Sequence, residues 1–342
     1  MKAVLQFNAG QRLRARLGQV ALPRIVVVGE HDEARFRAEL HDAEVLLHIA
    51  APVTAATLSA APRLRLIQRI GSGAGAVDLE AAHEAGVAVA DAPGTAAQAV
   101  AEHALALMLA VLRRVSVLDA ATRMARGWNV APEVPESSGE IAGRRVGLVG
   151  FGAVAQRLAP VLAALGAEVV LSSRTPRDIP SARQVSLGEL ISTADIVSLH
   201  LPGTPQTRHL IDAEALGRMK PGAILINTAR GELVDEAALA VGLRSGHLAG
   251  AGLDVFEAEP AREPRPLMLC STAVLTPHIA WLTPEAVARS LAVVAENCRR
   301  LGCGEPLLHE VAPALPPAEV HAAAPAADGA PALPSDAPLP LA

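Results

Sequence analysis

Three polar side chains stand where a reaction could use them, each after a stretch that reads as a β-strand. Arg230 ends "AILINTARG", Glu259 lies just past "AGLDVFEAEP", and His278 follows "AVLTP". In an open α/β sheet, ligands gather outside the carboxyl ends of the strands. An arginine there can grip a carboxylate through two parallel hydrogen bonds. A histidine gives or takes a proton near neutral pH, and a nearby carboxylate favours the imidazolium and fixes its orientation. The trio suits a reduction. Each member also has a plainer reading. Arg230 could pair with Glu232 or Asp235 at a turn, Glu259 could be solvated beside Pro260, and His278 could be a satisfied core residue.

A reduction needs an electron source, and two glycine-rich loops compete to hold one. "VGLVGFGAVAQRL" places Gly150, Gly152 and Ala155 after a strand and at the opening of a helix. The first glycine permits the tight turn, the second lets a pyrophosphate approach the backbone, and the small third residue lets helix and strand pack closely. Amides at the helix start, around Ala153 and Val154, would face the phosphates. "LRLIQRIGSGAGAVDLEAA" offers Gly71, Gly73 and Ala76, with Asp91 at the spacing of a ribose-binding acid. There, however, Asp78 reads as the N-cap of a much shorter helix, so the later loop is preferred. Past the next strand, "VVLSSRTPR" carries Ser173 and Arg174 instead of an acid. Hydroxyls and an arginine suit a 2′-phosphate. NADP(H) is therefore the preferred cofactor, with NAD(H) possible; a solvated surface arginine is the plainer alternative.

These residues need rigid elements to position them. "KAVLQF", "RIVVVG", "EVLLHIA", "LRLIQRI" and "VAVAD" read as strands, and the pattern resumes with "RRVGLVG", "AEVVLSSR", "DIVSLHLP", "AILINTAR" and "LAGAGLDVF". Apolar strands alternating with helices predict two doubly wound parallel-sheet α/β units. Between the blocks, a 3.6-residue periodicity predicts one helix from Ala96 to Ala125. "GWNVAPEVPESSGE" then reads as an exposed loop. From Val311 to Ala342, 20 of 32 residues are alanine or proline, which predicts a disordered tail.

The whole chain bounds the function. Its 342 residues are 51% hydrophobic and 19% charged, enough for two globular domains. Tyrosine is absent, so tyrosine chemistry is excluded. A net charge of −5 without a long basic run lacks the footprint of a nucleic-acid binder. Cys270, Cys298 and Cys303 form no CxxC pair, which supports neither a disulfide framework nor a metal site. The first residues lack the pattern of a secretory signal, and "AEHALALMLAVLRR" is too short and too polar at its ends to span a bilayer. The expectation is a cytoplasmic protein with no membrane partner.

The segments "VADAPG", "AVAEHALALMLAVLRR", "VGLVGFGAVAQRL", "LHLPGTPQTRHLI", "MKPGAILINTARGELVDEAAL", "AGLDVFEAEP" and "LTPHIAW" resemble, in order, the D-isomer-specific 2-hydroxyacid dehydrogenases. The resemblance covers essentially everything before the tail. It implies that Arg230 holds the carboxylate and carbonyl of a 2-oxo acid, that Glu259 keeps the histidine protonated, and that His278 is the general acid. It implies further cofactor contacts from His200, Leu201, Pro202, Thr207, Thr228, Ala229, Arg230, His278 and Asp254, the last on the nicotinamide carboxamide. Ser72 and Gly73 would meet the substrate carboxylate through backbone amides, so the competing loop gains a role. Trp281 would wall the substrate pocket or pack at a hinge. The family also implies a homodimer and a chain that crosses twice between its domains. Residues 1–97 and 287–310 would form a flavodoxin-like substrate domain, with a Rossmann NAD(P)-binding domain at 98–286 inserted and a tail at 311–342.

Some positions depart from the family pattern. Gly75 and Ala76 stand where the substrate loop usually has an aspartate and an asparagine, and "PGTAAQAVAE" lacks a polar contact often found there. "HIAW" is closest to glyoxylate and hydroxypyruvate reductases. The expected reaction is reduction of such a small 2-oxo acid to its D-2-hydroxy acid. The alternatives are a phosphoglycerate-dehydrogenase-like enzyme lacking a regulatory domain and a dinucleotide-sensing corepressor. Formate dehydrogenases resemble the chain less, because they carry a glutamine in place of Glu259.

Overall fold

A computed structural model describes residues 1–49, 51–73, 76–176 and 179–311. The first sheet takes β1 (Lys2–Gln6), β2 (Arg24–Val28), β3 (Val45–His48), β4 (Leu66–Arg69) and β5 (Ala88–Ala90). Its order, β2-β1-β3-β4-β5, is parallel throughout. This is the flavodoxin-like arrangement. The second sheet takes β6 (Arg145–Val149), β7 (Glu168–Ser172), β8 (Arg183–Gln184), β9 (Ile196–Leu199), β10 (Ala223–Asn227), β11 (Leu248–Leu253) and β12 (Ala273–Leu275). Its order is β12-β11-β10-β9-β6-β7-β8, again all parallel. Counted from β6, this is the 3-2-1-4-5-6 winding of dinucleotide-binding sheets with one strand added. Both doubly wound units expected from the sequence are present. Strands β3, β9 and β10 are buried at every residue, as strands covered on both faces must be.

The chain passes between the two sheets twice. The helix Ala97–Leu112 leaves the first sheet and buries Ala101, Ala104, Leu107, Met108, Val111 and Leu112 in the core of the second. The helix Pro284–Cys303 returns, burying Val287, Leu291, Val294 and Cys298 against the first sheet. Asn297 fixes the return, because its Nδ2 donates to Gln68 Oε1 (2.7 Å) and to the Leu308 carbonyl (3.0 Å).

Three expectations change. The single helix from Ala96 to Ala125 is two helices, Ala97–Leu112 and Val115–Arg123, broken where Arg114 adopts a left-handed backbone (φ 54°). The Arg114 side chain holds the break, donating to the Ala249 carbonyl (2.9 Å) and Ser137 Oγ (3.0 Å). The "GWNVAPEVPESSGE" loop contains two short helical turns, Gly127–Asn129 and Glu133–Glu136. Val311 is not tail: its amide donates to the Val89 carbonyl (2.7 Å) and its side chain packs on the first core. The rest of the expected tail, 312–342, lies outside the described residues, as does Gly75.

Candidate active site

The topology of the second sheet reverses between β6 and β9, and the glycine loop leaves β6 there. Gly150 has φ +90°, a conformation that L side chains rarely adopt. A Cβ on it would also stand 2.5 Å from the His200 carbonyl oxygen at the end of β9. Gly152 differs: it caps the helix Ala153–Ala164, and a Cβ there would meet nothing within 4 Å. Ala155, the small third residue, is fully buried. An open helix start beside a crevice is where a pyrophosphate fits.

Other residues expected near a dinucleotide gather along the same edge. Ser173 opens the turn after β7, where its hydroxyl donates to the Thr175 carbonyl (2.6 Å), and Arg174 beside it is exposed. His200 Nε2 lies 2.9 Å from Ser198 Oγ, and desolvation pushes the imidazole down to about 4, so it is neutral. The Thr207 hydroxyl is taken within its loop, donating to the Pro202 carbonyl (2.9 Å), while Leu201 is half-buried. Thr228 follows β10, and its buried Oγ1 has no hydrogen-bond partner. Buried polar atoms are rarely left so. The open Gly152 face and the orphaned Thr228 hydroxyl fit a bound dinucleotide.

Arg230, Glu259 and His278 come together. They line one open cleft with Gly231 and Phe256, at the carboxyl ends of β10, β11 and β12. Arg230 is aimed by its strand: Asn227 Nδ2 donates to the Arg230 carbonyl (2.8 Å), and Asn227 Oδ1 accepts from the Ala229 amide (3.0 Å). The following turn demands glycine, since a Cβ on Gly231 would lie 1.9 Å from the Phe256 carbonyl carbon. Glu259 Oε1 accepts from the Phe256 amide (2.8 Å), and Oε2 accepts from His278 Nδ1 (2.5 Å). Burial works against the Glu259 charge, yet the hydrogen bond and charge of His278, the Phe256 amide and Arg230 hold its carboxyl below the usual range. With Nδ1 engaged, the second ring nitrogen of His278 is the one available to a substrate.

Asp254 carries the turn that holds His278. Its Oδ1 accepts from Thr276 Oγ1 (2.6 Å) and the Ile279 amide (3.0 Å), and its Oδ2 from the Ala280 amide (2.9 Å). The His278 amide donates to the Asp254 carbonyl (2.7 Å). Asp254 Oδ2 keeps one acceptor position beyond these bonds. Since Thr276 donates to Asp254, it must accept from His103 Nε2 at 2.9 Å. His103 was not singled out from the sequence, because a helical histidine carries no local signal.

The first sheet contributes the loop after β4. Arg230 Nη2 reaches the Ser72 carbonyl oxygen (3.5 Å) and lies 3.7 Å from where a Gly73 Cβ would be. The Gly73 amide donates to Asp91 Oδ2 (2.9 Å), so Asp91 orders this loop and does not act as a ribose acid for it. Trp281 is half-buried on the first core, 6.2 Å from the Phe7 ring, and its Nε1 donates to the His278 carbonyl (3.2 Å). These contacts tie Trp281 to the first core and to the turn that carries His278. Two further groups at strand ends, His48 and Arg69, were not singled out although they obey the rule that found Arg230.

Two parallel sheets, a glycine turn at the switch point, and an arginine, a glutamate and a histidine in one cleft define a dinucleotide-dependent class. Comparison with known proteins makes it particular. The profile described as "D-isomer specific 2-hydroxyacid dehydrogenase, NAD binding domain" matches residues 105–280. The D-3-phosphoglycerate dehydrogenase of Mycobacterium leprae is 43% identical over 282 residues, 80% of this chain and 52% of that one. The glyoxylate reductase of Aeropyrum pernix is 39% identical over 247 residues, 70% of this chain and 74% of that one. The solved TT0316 protein of Thermus thermophilus is 37% identical with a TM-score of 0.81, covering 91% of this chain and all of that one. The chain belongs to the D-isomer-specific 2-hydroxyacid dehydrogenase family. It spans about half the length of the phosphoglycerate dehydrogenases it matches.

Proposed function

We propose that the protein reduces a short 2-oxo acid to its D-2-hydroxy acid, in the manner of a glyoxylate or hydroxypyruvate reductase. The observation that carries this reading is the convergence of Arg230, Glu259 and His278 on one cleft, in the same parallel sheet that the Gly150 turn leaves. A bound nicotinamide dinucleotide, when reduced, supplies hydride. Arg230 grips the substrate carboxylate and polarises its carbonyl. His278 delivers a proton to the carbonyl oxygen through the ring nitrogen that faces away from Glu259. Glu259, tied to the Phe256 amide, keeps the imidazole oriented by accepting from its Nδ1. In the reverse direction His278 takes the proton back. The Gly150–Val154 turn would seat the pyrophosphate, and Thr228 and Asp254 would meet the nicotinamide end. The loop of Ser72 and Gly73 would face the substrate carboxylate beside Arg230.

Ser173 and Arg174 support NADP(H) over NAD(H), because no acid stands there to repel a 2′-phosphate. We take residues 1–97 with 287–310 as the substrate unit and 98–286 as the inserted cofactor unit. A homodimer is supported by Val115, Met124 and Trp128, which are 51%, 62% and 88% exposed on one side of the second unit. Among the described residues no helix is long and apolar enough to cross a membrane. Purified protein assayed with glyoxylate and hydroxypyruvate should consume NADPH with a kcat/KM about tenfold above that with NADH. A preference for NADH contradicts the cofactor assignment, and no consumption of either contradicts the reaction.

A further inference from the structure

Glu236 opens the helix Glu236–Arg244, which follows the turn of Arg230 and Gly231. Its side chain is buried, and both carboxylate oxygens are taken by the stretch that follows β11. Glu236 Oε1 accepts from the Glu257 amide (2.6 Å), and Oε2 accepts from Arg265 Nη1 (3.0 Å). The same guanidinium reaches back, because Arg265 Nη2 donates to the Ala258 carbonyl (3.1 Å). One ion pair thus fixes an amide and a carbonyl in the two residues that precede Glu259. A carboxylate enclosed in this way is kept only when its oxygens are satisfied, and here the partners that satisfy it are backbone groups of the catalytic segment and their arginine.

The path of this stretch decides where the Glu259 carboxylate points. Its Oε1 accepts from the Phe256 amide and its Oε2 from His278 Nδ1 (2.5 Å). A backbone shift of about 1 Å would carry the second bond past normal hydrogen-bond length. The Arg230 turn meets the stretch at one further point, where Gly231 packs on the Phe256 backbone too closely for any Cβ. Among the described residues that line the cleft, Glu257 and Glu259 are present, and Glu236 and Arg265 are not. The pair therefore supports the cleft without lining it. Arg230 has its own support in Asn227.

We propose that Glu236 and Arg265 are positioning residues that act on proton transfer through Glu259: their ion pair clamps the Glu257 amide and the Ala258 carbonyl, and so keeps the Glu259 carboxylate on His278. The proposal rests on the 2-oxo acid reductase reading and adds to it the groups that hold its acid in register. Loss of the clamp lowers turnover, because His278 is no longer aimed. It leaves binding alone, because Arg230 and the Gly150 turn are held by other bonds.

The test measures steady-state reduction of hydroxypyruvate alone and in a Glu259→Gln background. Glu236→Ala should lower kcat by about fivefold or more, with KM and dinucleotide affinity within about twofold of wild type. Added to Glu259→Gln, it should change kcat by less than about twofold, since the carboxylate it aims is gone. Arg265→Lys keeps a cation for Glu236 but cannot fork to both acceptors, so its loss should be smaller than that of Arg265→Ala. An equal kcat loss in both backgrounds overturns the proposal, as does an effect confined to KM. Hydrogen exchange read by mass spectrometry needs no turnover. Glu236→Ala should speed exchange of the peptide covering residues 256–259 by about tenfold or more, while peptides of β6 and β9 keep wild-type rates. Faster exchange throughout the second sheet, or unchanged exchange in that peptide, contradicts a local clamp. Should no 2-oxo acid be reduced, the reductase reading fails and the exchange rates alone decide the clamp. If Glu236→Ala does not fold, Arg265→Ala, at a partly exposed side chain, carries the same comparisons.

Discussion

Glu259 stays ionised against its surroundings, and the reason is the histidine beside it. Burial raises a carboxyl group's pKa, but the His278 hydrogen bond and charge outweigh it, so the folded value lies below the ordinary 4.5. A depressed carboxyl contributes stability that is present above the unfolded value and lost as pH falls through the folded one. In Glu259→Gln, the deficit in unfolding free energy relative to wild type should therefore be fullest near neutral pH and close as pH drops below about 4.5. Urea titrations across that range would show it, and a pH-independent deficit would contradict the pairing. The same substitution should lower kcat by roughly tenfold or more, since an imidazole without its carboxylate partner loses its orientation. Arg230, Glu259 and His278 were legible in the sequence because each follows a strand and brings a group that titrates or grips an anion. Arg69 and His48 follow the same rule. They were absorbed into the strand patterns "LRLIQRI" and "EVLLHIA", where a polar residue near the end looks like an edge of the apolar run.

At the scale of elements, the glycine turn separates two roles that one motif hides. Gly150 is required by the fold, because its positive φ and the His200 carbonyl 2.5 Å from a Cβ exclude any side chain. Gly152 is free of protein contacts at the same point. Gly150→Ala should thus cost about 2 kcal/mol or more of stability. Gly152→Ala should melt close to wild type yet bind the dinucleotide at least roughly tenfold more weakly, its methyl standing where the pyrophosphate approaches. Thermal unfolding and cofactor titration of both variants would check the contrast, and identical behaviour would contradict it. Strands and turns were readable because apolar runs and glycines are local signals. The break at Arg114 was not, since the helical period continues across it and its cause is a bond from the Arg114 side chain to the Ala249 carbonyl, 135 residues away. Strand β8, two residues long, is too short to leave a pattern.

Across the whole molecule, the crevice exists because the chain leaves the first sheet, builds the second and returns. The doubly wound class could be read from the alternation of strands and helices, whereas the return was implied only by the family resemblance. It depends on the buried Asn297 bonds to Gln68 and Leu308, and on Val311 joining Val89, which are contacts distant in sequence. His48 lies inside this framework, 3% exposed, with burial holding it neutral down to about 4 against an ordinary 6.5. For a depressed histidine, the contribution to stability is complete above 6.5 and is lost as pH falls towards 4. It should amount to something on the order of 3 kcal/mol. Global unfolding of His48→Gln should be flatter than wild type across that window, and equal slopes would remove His48 as a cause. The central claim is that the crevice assembled by both sheets delivers a proton from His278 to a carbonyl oxygen. Steady-state reduction of 2-oxo acids by His278→Ala, with binding of the reduced dinucleotide measured in parallel, tests it most directly. The account predicts a kcat lower by roughly a hundredfold or more with dinucleotide affinity within about threefold of wild type; full turnover without the imidazole would contradict it.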